Sequence, residues 1–167
     1  TEDVTYIRCH VAHAHSVCAI GSEESGDVRH IRFIDCDGEG TDNGIRLKST
    51  RGRGGVVEDV VASNIRLKNV GTAIVLSMHY TQTPPEPFSE RTPVFRNISI
   101  DHLTAANVRK CCTIEGLEEH SIENITLEDL TLSGTTGITC SYARNVNFKN
   151  VTVTVQRDPW VEDHSED

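Results

Sequence analysis

Residues 44–55, which read Gly-Ile-Arg-Leu-Lys-Ser-Thr-Arg-Gly-Arg-Gly-Gly, hold four positive charges and no negative one. The chain as a whole carries a formal charge of −9, so this run is a local exception. If it is a strand, alternation sets Arg46 and Lys48 on one face, about 7 Å apart. That arrangement suits carboxylates on a polymer; a merely solvated basic strand is the other reading. No GxxxxGK[ST] occurs, so the segment is not a phosphate loop. Three imidazoles, His10, His13 and His15, stand just before Val17. Alternation alone does not converge three rings and no carboxylate partner is evident, so neither a metal nor another cofactor is expected. His15 is better read as an active-site imidazole. General acid–base chemistry also needs carboxylates. The first candidate is Glu115, then Asp37, Glu39 and Asp42 in the turn before Gly44, then Glu23. Asp42 reads as structural, because a turn aspartate beside a glycine can bond its own backbone.

The elements that position these groups are written in a repeat. The phrase polar, apolar, x, apolar, x, polar, apolar begins at residues 3, 30, 59, 97, 124 and 145, at intervals of 27, 29, 38, 27 and 21 residues. Its apolar positions alternate, as in a strand with one buried face. A second short strand follows in most units: 17–20, 45–48, 74–77, 112–115 and 138–141. Short strands, no helical stripe and a period in the twenties predict an all-β chain, a right-handed parallel β-helix of about six coils. Stacking then aligns Ile45, Ile74, Cys112 and Ile138 in one inward column and Leu47, Leu76, Ile114 and Cys140 in the next. Arg46 and Lys48 point outward in the coil after His15. Glu115 shares the outward lane of Lys48 two coils away, about 10 Å by the stacking distance.

The β-helix is expected over 1–156. Residues 157–167, with one basic and five acidic side chains, read as a frayed tail whose one sticky element is Trp160. The 38-residue interval holds a proline-rich loop, 79–88, of the kind that walls a cleft on a solenoid. The six cysteines read as buried free thiols, with Cys9 and Cys36 the pair placed for a disulfide if one forms. Asn97, Asn124 and Asn150 match the glycosylation pattern, yet Asn97 and Asn124 fall in the repeating turn column, which favours structural use. The acidic balance argues against nucleic-acid binding. No run of about 18 apolar residues exists, so no membrane span is expected, and no signal peptide opens the chain.

Two stretches now resemble a known family. Ala14-His15-Ser16-Val17-Cys18-Ala19-Ile20-Gly21-Ser22-Glu23 and Gly40-Thr41-Asp42-Asn43-Gly44-Ile45-Arg46-Leu47-Lys48 look like the polygalacturonase family of glycoside hydrolases, family twenty-eight. Its signature is Gly-His-Gly, Ile-Gly-Ser, then Arg-Ile-Lys. Arg51-Gly52-Arg53-Gly54-Gly55 and Thr92-Pro93-Val94-Phe95-Arg96-Asn97-Ile98 look like its bacterial members, and the resemblance runs to about Val155. It implies that His15 is the active-site histidine, that Arg46 and Lys48 bind substrate carboxylates, and that Tyr80 is the substrate-contacting tyrosine. It also implies pectin or oligogalacturonate as partner and a secreted or periplasmic location.

The departures are specific. Gly-His-Gly is Ala14-His15-Ser16 here, and Arg-Ile-Lys is Arg46-Leu47-Lys48. The family's Asn-Thr-Asp and Asp-Asp motifs lie upstream of its histidine, whereas only Glu2 and Asp3 precede His15. Those aspartates are the family's acid and base, and inversion needs two carboxyl groups about 6.5–9.5 Å apart. The expectation is therefore a pectin-active hydrolase whose site is truncated or is completed by self-association as a dimer or trimer. The alternative is a non-catalytic β-helix that binds acidic polysaccharide.

Overall fold

Alternating valine, isoleucine and leucine positions favour strands over helices, and every element among the described residues in the computed structural model of this chain is a strand. The structure describes residues 1–80 and 86–156; the tail with Trp160 and the prolines of the loop centre lie outside the described residues. In chain order the strands are β1 (Glu2–Ile7), β2 (His10–Ala12), β3 (Ser16–Ile20), β4 (Val28–Ile34), β5 (Asp37–Glu39), β6 (Asn43–Lys48), β7 (Val56–Lys68), β8 (Thr72–Ser77), β9 (Val94–Glu115), β10 (Ile122–Ser141) and β11 (Ala143–Val155). All their pairings are parallel. The chain is an all-β parallel β-helix.

Its strands stack in three lanes. The first is β1-β4-β7-β9-β10-β11, and its register places Val4, Ile31, Val60, Ile98, Ile125 and Val146 in one column. These are the first apolar positions of the six repeat phrases. The second lane joins β3, β6, β8 and the ends of β9 and β10, with Cys18, Ile45, Ile74, Cys112 and Ile138 in register. The third lane joins β2, β5 and later stretches of β7, β9, β10 and β11, with Val11, Gly38, Leu67, Ala105, Leu132 and Val153 in register. Inward residues of all three form one apolar core, in which Ile74, Leu76, Ile100 and Leu127 are fully buried. Each such side chain contributes roughly 1.5–3 kcal/mol by leaving water.

One inward assignment needs correction. Cys140 is in register with Ile114 but is exposed. No described strand stacks beyond it, because β11 pairs with β10 only as far as Gly134. All six cysteines are free. Cys9 and Cys36 are neighbours with separate acceptors, the Cys36 thiol donating to the Ile34 carbonyl at 3.4 Å.

The polar residue that opens each phrase bends its strand near the start. Asp3, His30, Asp59, Asn97, Asn124 and Asn145 all take left-handed backbone, φ 52–56°, a conformation that Asn, Asp and His enter more readily than most residues. Their side chains join coil to coil. His30 lies 3.0 Å from Asp3 and 3.5 Å from Asp59. Asn97 donates to Asp59 at 3.0 Å, Asn124 to Asn97 at 3.0 Å and Asn145 to Asn124 at 2.8 Å. Asn150 belongs to a second such column, donating to Asp129 at 2.6 Å. The three glycosylation-pattern asparagines are thus rungs of these ladders.

Candidate functional site

The second lane presents its polar face between the turn before β3 and the loop after β8. Ser16 pairs with Asn43, so the residues just ahead of them, His15 and Asp42, stand side by side on successive coils. The Asp42 carboxylate lies 2.7 Å from His15 Nδ1. Around them the backbone is tied down: Asn43 Nδ2 donates to the His15 carbonyl at 3.0 Å, and the Thr41 hydroxyl to the Asn43 carbonyl at 2.8 Å. A carboxylate at Nδ1 holds the ring proton there and leaves Nε2 bare. Both side chains remain exposed. Asp42 therefore bonds His15 and not its own backbone, which corrects the structural role read from its turn position.

Arg46 and Lys48 lie on β6 with their side chains outward, as alternation requires. The Tyr80 ring packs against both: Lys48 Nζ is 4.6 Å and Arg46 Cζ 5.9 Å from its centroid. Tyr80 is held by its own amide, which donates to the Ser49 carbonyl at 3.0 Å. His15, Ser16, Ala19, Arg46, Lys48 and Tyr80 line a cavity of about 320 Å³. Arg46 Nε is buried without a hydrogen-bond partner, while the residue itself borders the cavity. A larger depression, about 420 Å³, lies on the outward side of the first lane around His30. Its carboxylates, Asp3 and Asp59, repel a polyanion, so the smaller groove is the stronger candidate.

The remaining carboxylates are distributed unequally. Glu115 follows Lys48 and Ser77 down one outward column and accepts from the Ser77 hydroxyl at 3.2 Å. Asp37 is on β5 in the third lane, 2.5 Å from His10 Nδ1 and 3.6 Å from Arg66, and the structure does not bring it into the groove. Glu39 lies beside Lys68 and Asn69. Glu23 is ion-paired with Arg53. Reading the sequence missed Glu24 altogether. It is 2% exposed, and neither carboxylate oxygen has a partner, the nearby Ser49 hydroxyl donating instead to the Ser22 carbonyl at 3.3 Å. Burial pushes its acid up to about 8, with Ser49 and Lys48 opposing. Nothing in the pair Glu23-Glu24 marks which one is inside.

Fold and site together define a parallel β-helix with a basic, aromatic-walled groove on one lane. Residues 2–158 match the family described as Glycosyl hydrolases family 28, and the chain belongs to that family. It is similar to a probable polygalacturonase of Vitis vinifera, 27% identical over 70% of this chain and 24% of that protein. A polygalacturonase of Ralstonia nicotianae is 27% identical over 81% of this chain and 27% of its own length. Among solved structures, a hyperthermoactive exopolygalacturonase from Thermotoga maritima aligns with a TM-score of 0.65 at 23% identity. That alignment covers 86% of this chain and 34% of the other. This chain thus spans about a quarter to a third of the length of these relatives.

Proposed function

We propose that this chain forms the carboxylate-binding side of a pectin-active hydrolytic site, acting on galacturonate-containing polysaccharide outside the cytoplasm. Arg46 and Lys48 hold the uronate carboxylate, Tyr80 packs against the sugar, and His15 presents Nε2 to the reacting region under the control of Asp42. The observation that carries this reading is the pair of cations on β6, neither in an ion pair among the described residues, beside Tyr80 and His15 in one groove. In a protein of net charge −9 such cations are ordinarily neutralised by neighbours; leaving them bare favours an external anion.

Hydrolysis by inversion further needs an acid and a base about 6.5–9.5 Å apart. Among the candidate carboxylates, Asp42 is engaged by His15, whereas Glu115 stands in the outward column of Lys48 and its Ser77 bond fixes it in place. The second carboxyl group comes from coils or a subunit beyond this chain, which makes a dimer or trimer one form of the proposal. A second reading, a binding module without turnover, draws on the same groove and on the position of Asp37 in another lane.

Calorimetric titration with oligogalacturonate decides the binding claim. Wild type binds, more weakly as salt rises, and the Arg46→Ala, Lys48→Ala double variant does not; unsubstituted xylan binds neither. Equal affinity of wild type and double variant refutes the site. Reducing-sugar release from polygalacturonate, with Glu115→Gln and His15→Ala beside wild type, then separates enzyme from binding module.

A further inference from the structure

The outward column that opens the first lane alternates in sign from one edge of the stack to the other. Register aligns Glu2, Arg29, Glu58, Arg96, Glu123 and Arg144 on successive strands. Glu58 lies 2.9 Å from Arg29 and 2.7 Å from Arg96, and Glu123 lies 3.9 Å from Arg144. Six alternating members leave opposite charges at the two ends, an anion on β1 and a cation on β11.

The same two edges carry the exposed apolar side chains. Among the described residues, the large hydrophobic side chains left exposed are Tyr6, Ile7, Phe88, Tyr142, Phe148 and Val155. All but Phe88 lie on β1, on β11 or, for Tyr142, just ahead of β11. Tyr6 stacks on Phe33 with ring centroids 5.1 Å apart, and register carries that column on through Ala62, Ile100 and Leu127 to Phe148. The column begins and ends on an aromatic ring, and both end rings are half-exposed. Among the described strands β1 pairs only with β4 in this lane and β11 only with β10. An unpaired strand edge of this kind is a template for another strand.

We infer that these two edges are the halves of one interface, on which a second copy of this chain adds head to tail, its β1 continuing the first lane beyond β11. Set one strand spacing of about 4.8 Å further along the stack, the added copy brings its Glu2 against Arg144, its Val4 against Val146 and its Tyr6 against Phe148. In the third lane its Val11 comes against Val153. Residues 2–7 over 144–149 and 10–12 over 152–154 bring no like charges together. The surface ion pair fixes register and choice of partner more than it adds affinity; covering the two rings and the valines supplies the gain. A contact of this heterologous kind leaves both outer edges open, so the assembly lengthens with concentration. It also gives a geometry to the subunit form of the proposed function, because the added copy abuts the coil that carries His15, although the interface itself stands on the edges alone.

Sedimentation velocity over a series of protein concentrations tests this, with Glu2→Arg, Arg144→Glu and a one-to-one mixture of the two variants beside wild type. The circular-dichroism melt of each protein is recorded, since both side chains lie at exposed edges and the fold should be kept. Wild type should form dimers and then longer species as concentration rises. Each variant alone sets like charges across the interface and should associate about tenfold more weakly, an attractive cross-strand pair having become a repulsive one. The mixture should recover wild-type association, because the two altered ends complement each other and so do the two unaltered ones. Residues that serve only their own chain give no such rescue. Phe148→Ser, which leaves both charges in place, should weaken association as well. A strict monomer, a species that stops at a closed dimer, a mixture that associates no better than its components, or an unaffected Phe148→Ser overturns the inference. Oligogalacturonate titration is a separate measurement, so the Arg46 and Lys48 groove stands or falls independently of this result.

Discussion

Replacing Glu24 with glutamine should make the fold more stable as the pH rises, and the size of the effect follows from burial. The free acid titrates at 4.5, and in the folded chain burial raises it to about 8. Between those values the unfolded chain has released a proton that the folded chain retains, so stability falls with increasing pH across that window. Below pH 4.5 the group is neutral in both states and contributes no pH dependence. Above pH 8 the charge is buried in the folded state and the full penalty is felt. At ~1.4 kcal/mol per unit, the interval from 4.5 to about 8 is worth about 5 kcal/mol at most. Glutamine keeps the shape and cannot ionise. Wild type and Glu24→Gln should therefore melt within a few degrees of each other at pH 5 and diverge steadily up to pH 8.5. At this chain length 1 kcal/mol corresponds to roughly 2–4 °C, so the divergence should reach roughly 10 °C. Thermal melts followed by circular dichroism at half-unit pH steps supply the measurement. Two parallel curves would mean that Glu24 is ionised or solvated in the folded chain, and the burial argument would fail.

Ile45, 1% exposed and stacked between Cys18 and Ile74, should tolerate no charge: Ile45→Asp should cost several kcal/mol, and a wild-type urea midpoint would contradict the column. Asp42→Asn should move the His15 ring proton, from Nδ1 in wild type to Nε2 in the variant, because the amide can donate where the carboxylate only accepts. Nitrogen NMR of the imidazole reads the tautomer directly, and an unchanged spectrum would show that Asp42 does not hold it.

Much of this is legible in the residues because the same information is written twice, as alternation within a strand and as recurrence between strands. Val4, Ile31 and Val60 can be aligned from either. The interval also held more than was drawn from it: 27 residues separate Asp3 from His30, His10 from Asp37 and His15 from Asp42. Applying that interval to turn residues, not only to strand residues, would have paired His15 with Asp42 and set Asp37 apart with His10. Glu24 had no such signal. Its burial depends on the chain closing over it at Gly55, where an added Cβ would meet the Glu24 carbonyl, and closure of that kind leaves no period. The exposure of Cys140 is likewise a property of what stacks beyond it and not of its own strand.

The side-chain ladders at the left-handed corners also govern how the molecule bears a mechanical load. Each rung bonds only to the rungs immediately above and below, and the backbone bonds of every lane run in the same direction, along the stack. Tension applied through the backbone of one coil therefore pulls along those bonds and loads the interface with the neighbouring coil first. Nothing transmits the strain to the interior until the first coil has peeled away. Such a body yields like a roll of tape, one turn after another at a low and repeating force. A shear across the coils, by contrast, must slide whole columns of isoleucine, leucine and asparagine past one another at once. Stiffness is directional here: weak along the axis, strong across it.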